Sequence, residues 1–404
     1  MKIGITSGLR YHRVGNQYYS NSQFVADMWA ECLEVFDEVI LANRVIYKNE
    51  IGAGDKPVLG DGIRLVEFPN ASGLWSNLCN IPHMLSIARH TVKCADVWHL
   101  HTPNLLTFCI YFWLWWYKIP YSLELRGDQS INIAYLKLRG VKFACLVVFF
   151  MRSLLWLQMS RPLAVSSVTR WLVDISKPRN HCPVHIVSNA RIPSKLFHPG
   201  RSWKDNQELR TIVCLGRLEA QKNPIGTLKA LNHLRKMGFT QWKLIWIGDG
   251  PLKDKTIHTA AKMNMERKIN LLGFVPWDQI FPILDKADLF LLNSTAEGLP
   301  RAILEAMASA LPVVATRTGG WKDILPAMDT VPSHDHKALA EKLFEVLSDT
   351  ERLTSMSRRN LAVAQYYSAE RLRIRKIAFY ADVKSQCINR SLYRDKNSPT
   401  GKDS

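Results

Sequence analysis

The stretch STAEGLPRAILEAMASALPVVATRTGG, residues 294–320, holds two carboxylates eight positions apart, Glu297 and Glu305. Glu297 stands just before Gly298, Leu299 and Pro300, whereas Glu305 lies among Ala, Ile, Leu and Met. An ionised carboxylate on an apolar helix must face a polar ligand or partner, because an isolated buried charge is very costly. One acid suits the hydroxyls of a sugar and the other a ribose, and the helix N-terminus between them offers N–H groups and a positive dipole end to a phosphate. Against this, Glu is common enough that two at such an offset prove little alone. A second set of groups is cationic. LGRLEAQKN (215–223) carries Arg217 and Lys222; arginine grips a diphosphate with a two-pronged hydrogen bond and lysine acts as a point charge, although an ordinary exposed basic loop has the same composition. IGDGP (247–251) adds Gly248, either a close backbone approach to a ligand or a simple tight turn.

These groups need elements to hold them at strand ends. ADLFLLNS (287–294) and LPVVATR (311–317) are continuous apolar runs, as in strands buried on both faces. Between them Pro300 suits a first helical turn, and residues 301–310 are rich in helix formers. The reading is strand, helix, strand, with Glu297 in the loop above a strand's carboxyl end, the side on which doubly wound sheets bind ligands. Further strands are expected at 211–216, 243–248 and 269–274, and in the first half at 2–6, 37–42, 63–68, 96–100, 121–125, 162–166 and 184–188. Helical patterns separate most of them, for example over 22–36, which implies parallel sheets. The expected organisation is α/β: two tandem doubly wound, Rossmann-like domains facing each other across a cleft. A first domain covers 1–190, a linker 191–208 and a second domain 209–367; a helix over 368–390 packs back on the first domain, and 391–404 is a disordered tail.

GRLEAQKN, IGDGP, LLGFVPW and EGLPRAILEAMASALPVVATRTGG resemble, in order and spacing, the retaining glycosyltransferases of family 4, which have the GT-B fold. The resemblance covers about 210–325 and is looser over the first half. It implies transfer of a sugar from a nucleotide-sugar, such as a UDP- or GDP-sugar, with retention of configuration and without a metal or other cofactor. Arg217 and Lys222 would bind the diphosphate and Glu297 the donor sugar. Glu305 would take the ribose, the backbone near Phe274 and Val275 would meet the base, and Gly248, Gly298, Leu299 and Pro300 would line the donor pocket. Many relatives carry a Gly-Gly pair after the first strand; here Ser7, Gly8 and Leu9 stand there, leaving Gly8 to contact the donor phosphates. Where relatives present a histidine to the sugar, this chain has Arg126, Gly127 and Asp128. His101, in HLHTPN (99–104), is an acceptor-side candidate together with Arg126 and Asp128, or else a structural histidine.

Composition bounds the remainder. The chain has 404 residues, 47% of them hydrophobic, enough for two cores, and a formal net charge of +18, which calls for an anionic partner. Its eight cysteines form no CxxC pair and read as reduced thiols; MKIGITSGLR enters a strand pattern without a signal core. A cytoplasmic protein, peripheral on the inner face of the cell membrane, is expected. The greasy segments 104–117 and 141–159 are respectively too short to span and interrupted by Arg152, so they are domain core or an interfacial face. No acid occurs from Gln129 to Val173, while Lys137, Arg139, Lys142, Arg152, Arg161 and Arg170 do, which suits an anionic membrane surface. The function expected is transfer to a glycan or lipid-linked acceptor in surface polysaccharide assembly (O-antigen, capsule or exopolysaccharide). A nucleic-acid-binding basic protein lacks a recognised motif here, so no specific nucleic acid is expected; a GT-B-fold epimerase or phosphorylase is the other alternative, the phosphorylases needing a cofactor-lysine signature not found here.

Overall fold

The computed structural model is described for residues 1–20, 29–52, 55–70, 76, 79–126, 144–176, 182–204 and 209–396. The first part of the helix expected over 22–36, Asp128, and Lys137, Arg139 and Lys142 lie outside them. Two units are present. The first comprises residues 1–168, 172–187 and 373–404, and the second residues 169–171 and 188–372.

In the first unit a parallel sheet grows outward from β1 (Lys2–Val14), which is extended by an antiparallel hairpin partner, β2 (Gln17–Ser20). β3 (Glu38–Tyr47) runs parallel to β1, β4 (Lys56–Pro57) joins β2, and β5 (Ile63–Pro69) lies outside β3. On the other side of β1 follow β6 (Val97–Thr102), β7 (Tyr121–Leu125), β8 (Val165–Ser167) and β9 (Val184–Ile186), all parallel. Ile3, Ile5, Val39, Leu41 and Val97 from these strands pack against Trp29, Cys32 and Phe36, and against Phe379, Tyr380 and Val383 of the helix Ala369–Lys396. Lys384 Nζ donates to the Val35 carbonyl at 2.6 Å and secures that helix. β1 is twice as long as its apolar run: a bulge between Thr6 and Arg10 interrupts its ladder with β3, and the strand then continues. Gly8 therefore lies inside an irregular strand, not in a loop after it. The helix also continues to Lys396, so 391–396 is not tail.

The second unit has the strand order β12-β11-β10-β13-β14-β15, every pair parallel: β10 (Arg210–Leu215), β11 (Trp242–Ile247), β12 (Ile269–Gly273), β13 (Leu289–Leu292), β14 (Val313–Thr316) and β15 (Thr330–Val331). Alternate residues serve opposite cores. Val213, Phe290 and Leu292 join the cluster containing Ile303, Leu304 and Met307, whereas Ile212, Cys214, Leu289 and Leu291 join the cluster containing Leu228, Leu231 and Leu343. This two-sided burial is why the strand segments read as continuous apolar runs. Helices are closed by side-chain caps where the sequence supplies them: Asn223 accepts from Gly226 N, Asp335 from Ala338 N and Asp349 from Arg352 N.

The polar segment expected as a linker packs instead on the second unit. Ile192 is fully buried, and Arg201 donates to the carbonyls of Leu284, Asp285, Ala287 and Ser309 at 2.7–3.0 Å. One guanidinium, with its five donors, satisfies chain ends that helix and strand leave open. Arg201→Ala, which strands those carbonyls, is expected to lower the stability of the fold by roughly 2–4 kcal/mol, read as an earlier midpoint in urea unfolding followed by tryptophan fluorescence.

Candidate active site

β13 and β10 end beside each other, and the loops that follow them are stitched together. Thr295 N donates to the Gln221 carbonyl at 2.8 Å, and Gln221 Nε2 donates to the Ala296 carbonyl at 2.7 Å. This brings Lys222 onto Glu297: Lys222 Nζ donates to Glu297 Oε1, and both side chains are largely buried. Ammonium and carboxylate thus meet at the strand ends, beside Leu299 and Pro300, where the helix Arg301–Ala308 begins.

Glu305 lies on that helix with a residue exposure of only 8%. Its Oε1 accepts the Trp277 indole N–H at 2.9 Å. Burial raises its pKa above the usual carboxylate value, and the Trp277 hydrogen bond and the charges of Arg301 and Lys222 oppose the rise only in part. The burial of this acid is therefore incompletely compensated.

Glycines set the remaining geometry. Gly248 has φ +134°, and a Cβ there would stand 2.2 Å from the Gly216 carbonyl oxygen. Gly319, φ +59°, is tighter still: its Cβ would fall 1.7 Å from the Glu297 carbonyl oxygen. Gly320 N donates to the Gly298 carbonyl at 2.9 Å, so the Gly-Gly pair clamps the backbone that carries Glu297. Gln221, Trp277 and the Gly319–Gly320 pair belong to the site's support and were not singled out from the sequence; the only signal was the Gly-Gly ending of the motif.

Arg217 is placed differently from Lys222. Its side chain is 72% exposed, and its ion pair among the described residues is with Glu219 at 3.7 Å. It does not meet Glu297. Phe274 is 81% exposed and Val275 half-buried at the end of β12, where Gly248 N donates to the Gly273 carbonyl at 2.8 Å.

Two of the acceptor-side candidates, His101 and Arg126, share an ionic cluster built on the buried Glu124, while Asp128 lies outside the described residues. His101 and Glu124 are register partners on β6 and β7, with His101 Nε2 at 3.1 Å from Glu124 Oε2. Arg126 Nε donates to Glu124 Oε1 at 2.5 Å, His99 Nε2 lies 3.4 Å from Oε2, and His99 Nδ1 meets Ser122 Oγ at 2.9 Å. Burial, with Arg126 second, lowers the His101 pKa to about 3, so the ring is neutral. Burial alone would raise the Glu124 carboxyl, but Arg126 and the two histidines outweigh it and hold the group well below its usual range. His99, His101 and Glu124 bring ligand atoms within 4.8 Å of one another, the spacing of a metal site. The Arg126 guanidinium occupies the other oxygen of Glu124, Oε1, so a divalent cation there would add charge beside an existing cation.

Two Rossmann-like parallel-sheet units in one chain are the architecture of the GT-B fold. Residues 201–362 match the profile described as "Glycosyl transferases group 1". The chain is also similar to curated proteins. The putative colanic acid biosynthesis glycosyltransferase WcaL of Escherichia coli (strain K12) is 31% identical over 159 residues, covering 37% of this chain and 39% of that protein. A Campylobacter jejuni (serotype O:2) protein is described as GalNAc-alpha-(1->4)-GalNAc-alpha-(1->3)-diNAcBac-PP-undecaprenol alpha-1,4-N-acetyl-D-galactosaminyltransferase. It is 30% identical over 142 residues, or 34% of this chain and 38% of that protein. The aligned part thus spans less than two fifths of either relative. In fold, the chain is similar to Anabaena Alr3699/HepE, solved in complex with UDP and glucose: the TM-score is 0.59 at 15% identity, over 98% of this chain and all of that one.

The shift of Glu305 has a consequence for stability. Because the folded state raises its pKa, the penalty for the ionised form is fully present above the folded value and vanishes below the ordinary carboxylate range near about pH 4. Glu305→Gln, which keeps an acceptor for Trp277, is expected to raise the melting temperature of the ligand-free protein at pH 7.5. That advantage should shrink as the pH falls to 4; a constant difference across the series would show that Glu305 carries no such penalty.

Proposed function

We propose that the protein is a retaining glycosyltransferase that moves a sugar from a nucleotide-diphosphate sugar to a glycan or lipid-linked acceptor in surface polysaccharide assembly. The observation that carries this reading is the buried Lys222–Glu297 pair at the strand ends of a group 1 domain, with Glu305 on the adjoining helix. The relatives named for colanic acid and for an undecaprenol-linked acceptor support the polysaccharide and lipid-linked parts of the reading.

In this reading the C1–O bond to the diphosphate breaks with its electron pair going to the phosphate oxygen. The acceptor hydroxyl forms the new C1–O bond on the same face, and its proton passes to the leaving diphosphate. Lys222 meets the growing negative charge from a fixed position and Arg217 is drawn in from solvent, together the part a metal plays elsewhere. Glu297 orients the sugar through its hydroxyls, Glu305 holds the ribose, and the backbone at Phe274 and Val275 meets the base. Gly248, Gly298, Leu299 and Pro300 line the donor pocket; Gly8, His101, Arg126 and Asp128 are the corresponding groups of the first unit.

Membrane seating is part of the proposal. Among the described residues no helix is long and apolar enough to cross a membrane. The helices Leu105–Tyr117 and Ala144–Gln158 touch through Phe108 and Phe150, and they expose Trp115 at 64%, Trp116 at 60%, Leu146 at 65%, Phe149 at 69% and Trp156 at 53%. Such a face, with Arg152 exposed on it, suits the headgroup layer of an anionic bilayer on the cytoplasmic side.

Lys222→Ala is expected to lower turnover roughly 100-fold or more while the protein stays folded, measured as sugar transfer from whichever UDP-, GDP- or ADP-sugar stabilises the wild type thermally. Near-normal transfer by the folded variant would remove Lys222 from the chemistry. Wild type should sediment with vesicles containing anionic lipid more than with neutral ones, and the Trp115→Ser, Phe149→Ser double variant should lose that preference; equal sedimentation in all four cases would leave these aromatics without a membrane role.

A further inference from the structure

Three arginines on or beside the sheet of the first unit are matched to acids. Arg13 NH1 lies 2.7 Å from Glu67, Arg126 pairs with Glu124, and Arg64 is 3.7 Å from Glu38. Arg10 and Arg44 break the pattern. They are register partners on the parallel strands β1 and β3, just beyond the bulge. Neighbouring strands lie about 4.8 Å apart, so partner side chains share a face and are close together. Tyr11 and Val45, the next pair, are buried on the opposite face. Arg44 is half-buried, and neither arginine has a hydrogen bond, an ion pair or an aromatic partner among the described residues. Asp55 on the same side is engaged by Gly52 N at 2.9 Å and His12 at 3.6 Å. Burial and the charge of Arg10 push the Arg44 guanidinium below its usual pKa, the mark of a cation held without compensation.

Like charges directly opposite on paired strands are destabilising, and a partly desolvated guanidinium without a partner adds to that cost. Two solutions exist: solvate both groups, which the placement of Arg44 resists, or bring in an anion. The strand is open just before the pair: no atom lies within 4 Å of where a Cβ on Gly8, two residues before Arg10, would stand. We propose that Arg10 and Arg44 form a binding site for a phosphate or diphosphate group at the carboxyl end of β1 and β3. One carboxylate is satisfied by a single guanidinium fork, whereas two forks carrying two charges match the oxygens and charge of a phosphoryl group. The anion has two possible sources, a diphosphate-linked lipid acceptor or a soluble phosphorylated sugar. As an acceptor subsite the assignment rests on the transfer reading above; as an anion site it stands independently of it.

The test is calorimetric titration of the full chain with inorganic pyrophosphate, in an Arg217→Ala, Lys222→Ala background that removes the cations of the donor loop. Pyrophosphate should bind, and Arg44→Met and Arg10→Met should each weaken binding at least 10-fold. In anion-free buffer Arg44→Met should also raise the melting temperature, because it removes an uncompensated charge; a merely structural arginine would do the opposite. Arg44→Lys, which keeps the charge and loses the fork, should bind at an intermediate level and serves if the methionine variant does not fold. Unchanged pyrophosphate affinity in the Arg10 and Arg44 variants would overturn the proposal. Tighter binding to micelles carrying a polyprenyl diphosphate than to N-acetylglucosamine 1-phosphate would identify the lipid-linked source, and the reverse order the soluble one. None of these readouts requires sugar transfer, so loss of the transferase reading would leave them intact.

Discussion

The second unit depends on one close approach, that of Gly319 to the carbonyl of Glu297. No side chain can stand between these backbones, since even a Cβ would fall 1.7 Å from the oxygen. The loop after β13 is therefore pinned from one side by Gly319 and Gly320 and from the other by Gln221. Everything proposed for the donor follows from that pinning. The carboxylate of Glu297 can meet Lys222 only because the loop holding it cannot move away, and the helix Arg301–Ala308 begins where the same loop ends. Catalytic groups on loops act precisely only when a rigid frame fixes the loop.

Charge is distributed differently in the two units. Around Glu297 and Glu305 a single buried ammonium acts on both acids, and Glu305 remains under-compensated. Around Glu124 compensation is complete, with a guanidinium and two neutral imidazoles on one carboxylate. The first arrangement leaves one acid under-compensated, whereas the second fixes the direction of Arg126. The Arg10–Arg44 pair is a third case, positive charge with no acid paired to it among the described residues.

Legibility in the sequence followed burial. Strands buried on both faces, such as β13 and β14, stood out as unbroken apolar runs, and the glycine and proline punctuation around residues 298–300 marked the helix start correctly. The outer half of β1, RYHRV, was not legible, because a half-polar strand continuing past a bulge has the composition of a loop. The segment 191–204 looked like a linker for a related reason: its polar residues bond to backbone carbonyls, a partnership that no local pattern reveals. Glu305 was recognisably anomalous, but its partner Trp277 lies 28 residues away and emerges only when the elements pack. Arg217 and Lys222 looked equivalent as spaced cations, and the turn after β10 buries one and exposes the other.

The double-sided burial of β13 and β14 also bears on how such a protein can change over generations. Each of their apolar residues faces one core or the other, so drift at those positions is confined to apolar replacements of nearly equal volume. The positions that meet the outside lie in the loops: Phe274 and Arg217 are exposed, and Val275 and Leu299 are half-buried. New donor preferences can therefore arise at the strand ends while the frame stays constant, so that inheritance acts on a conservative interior and an experimental rim.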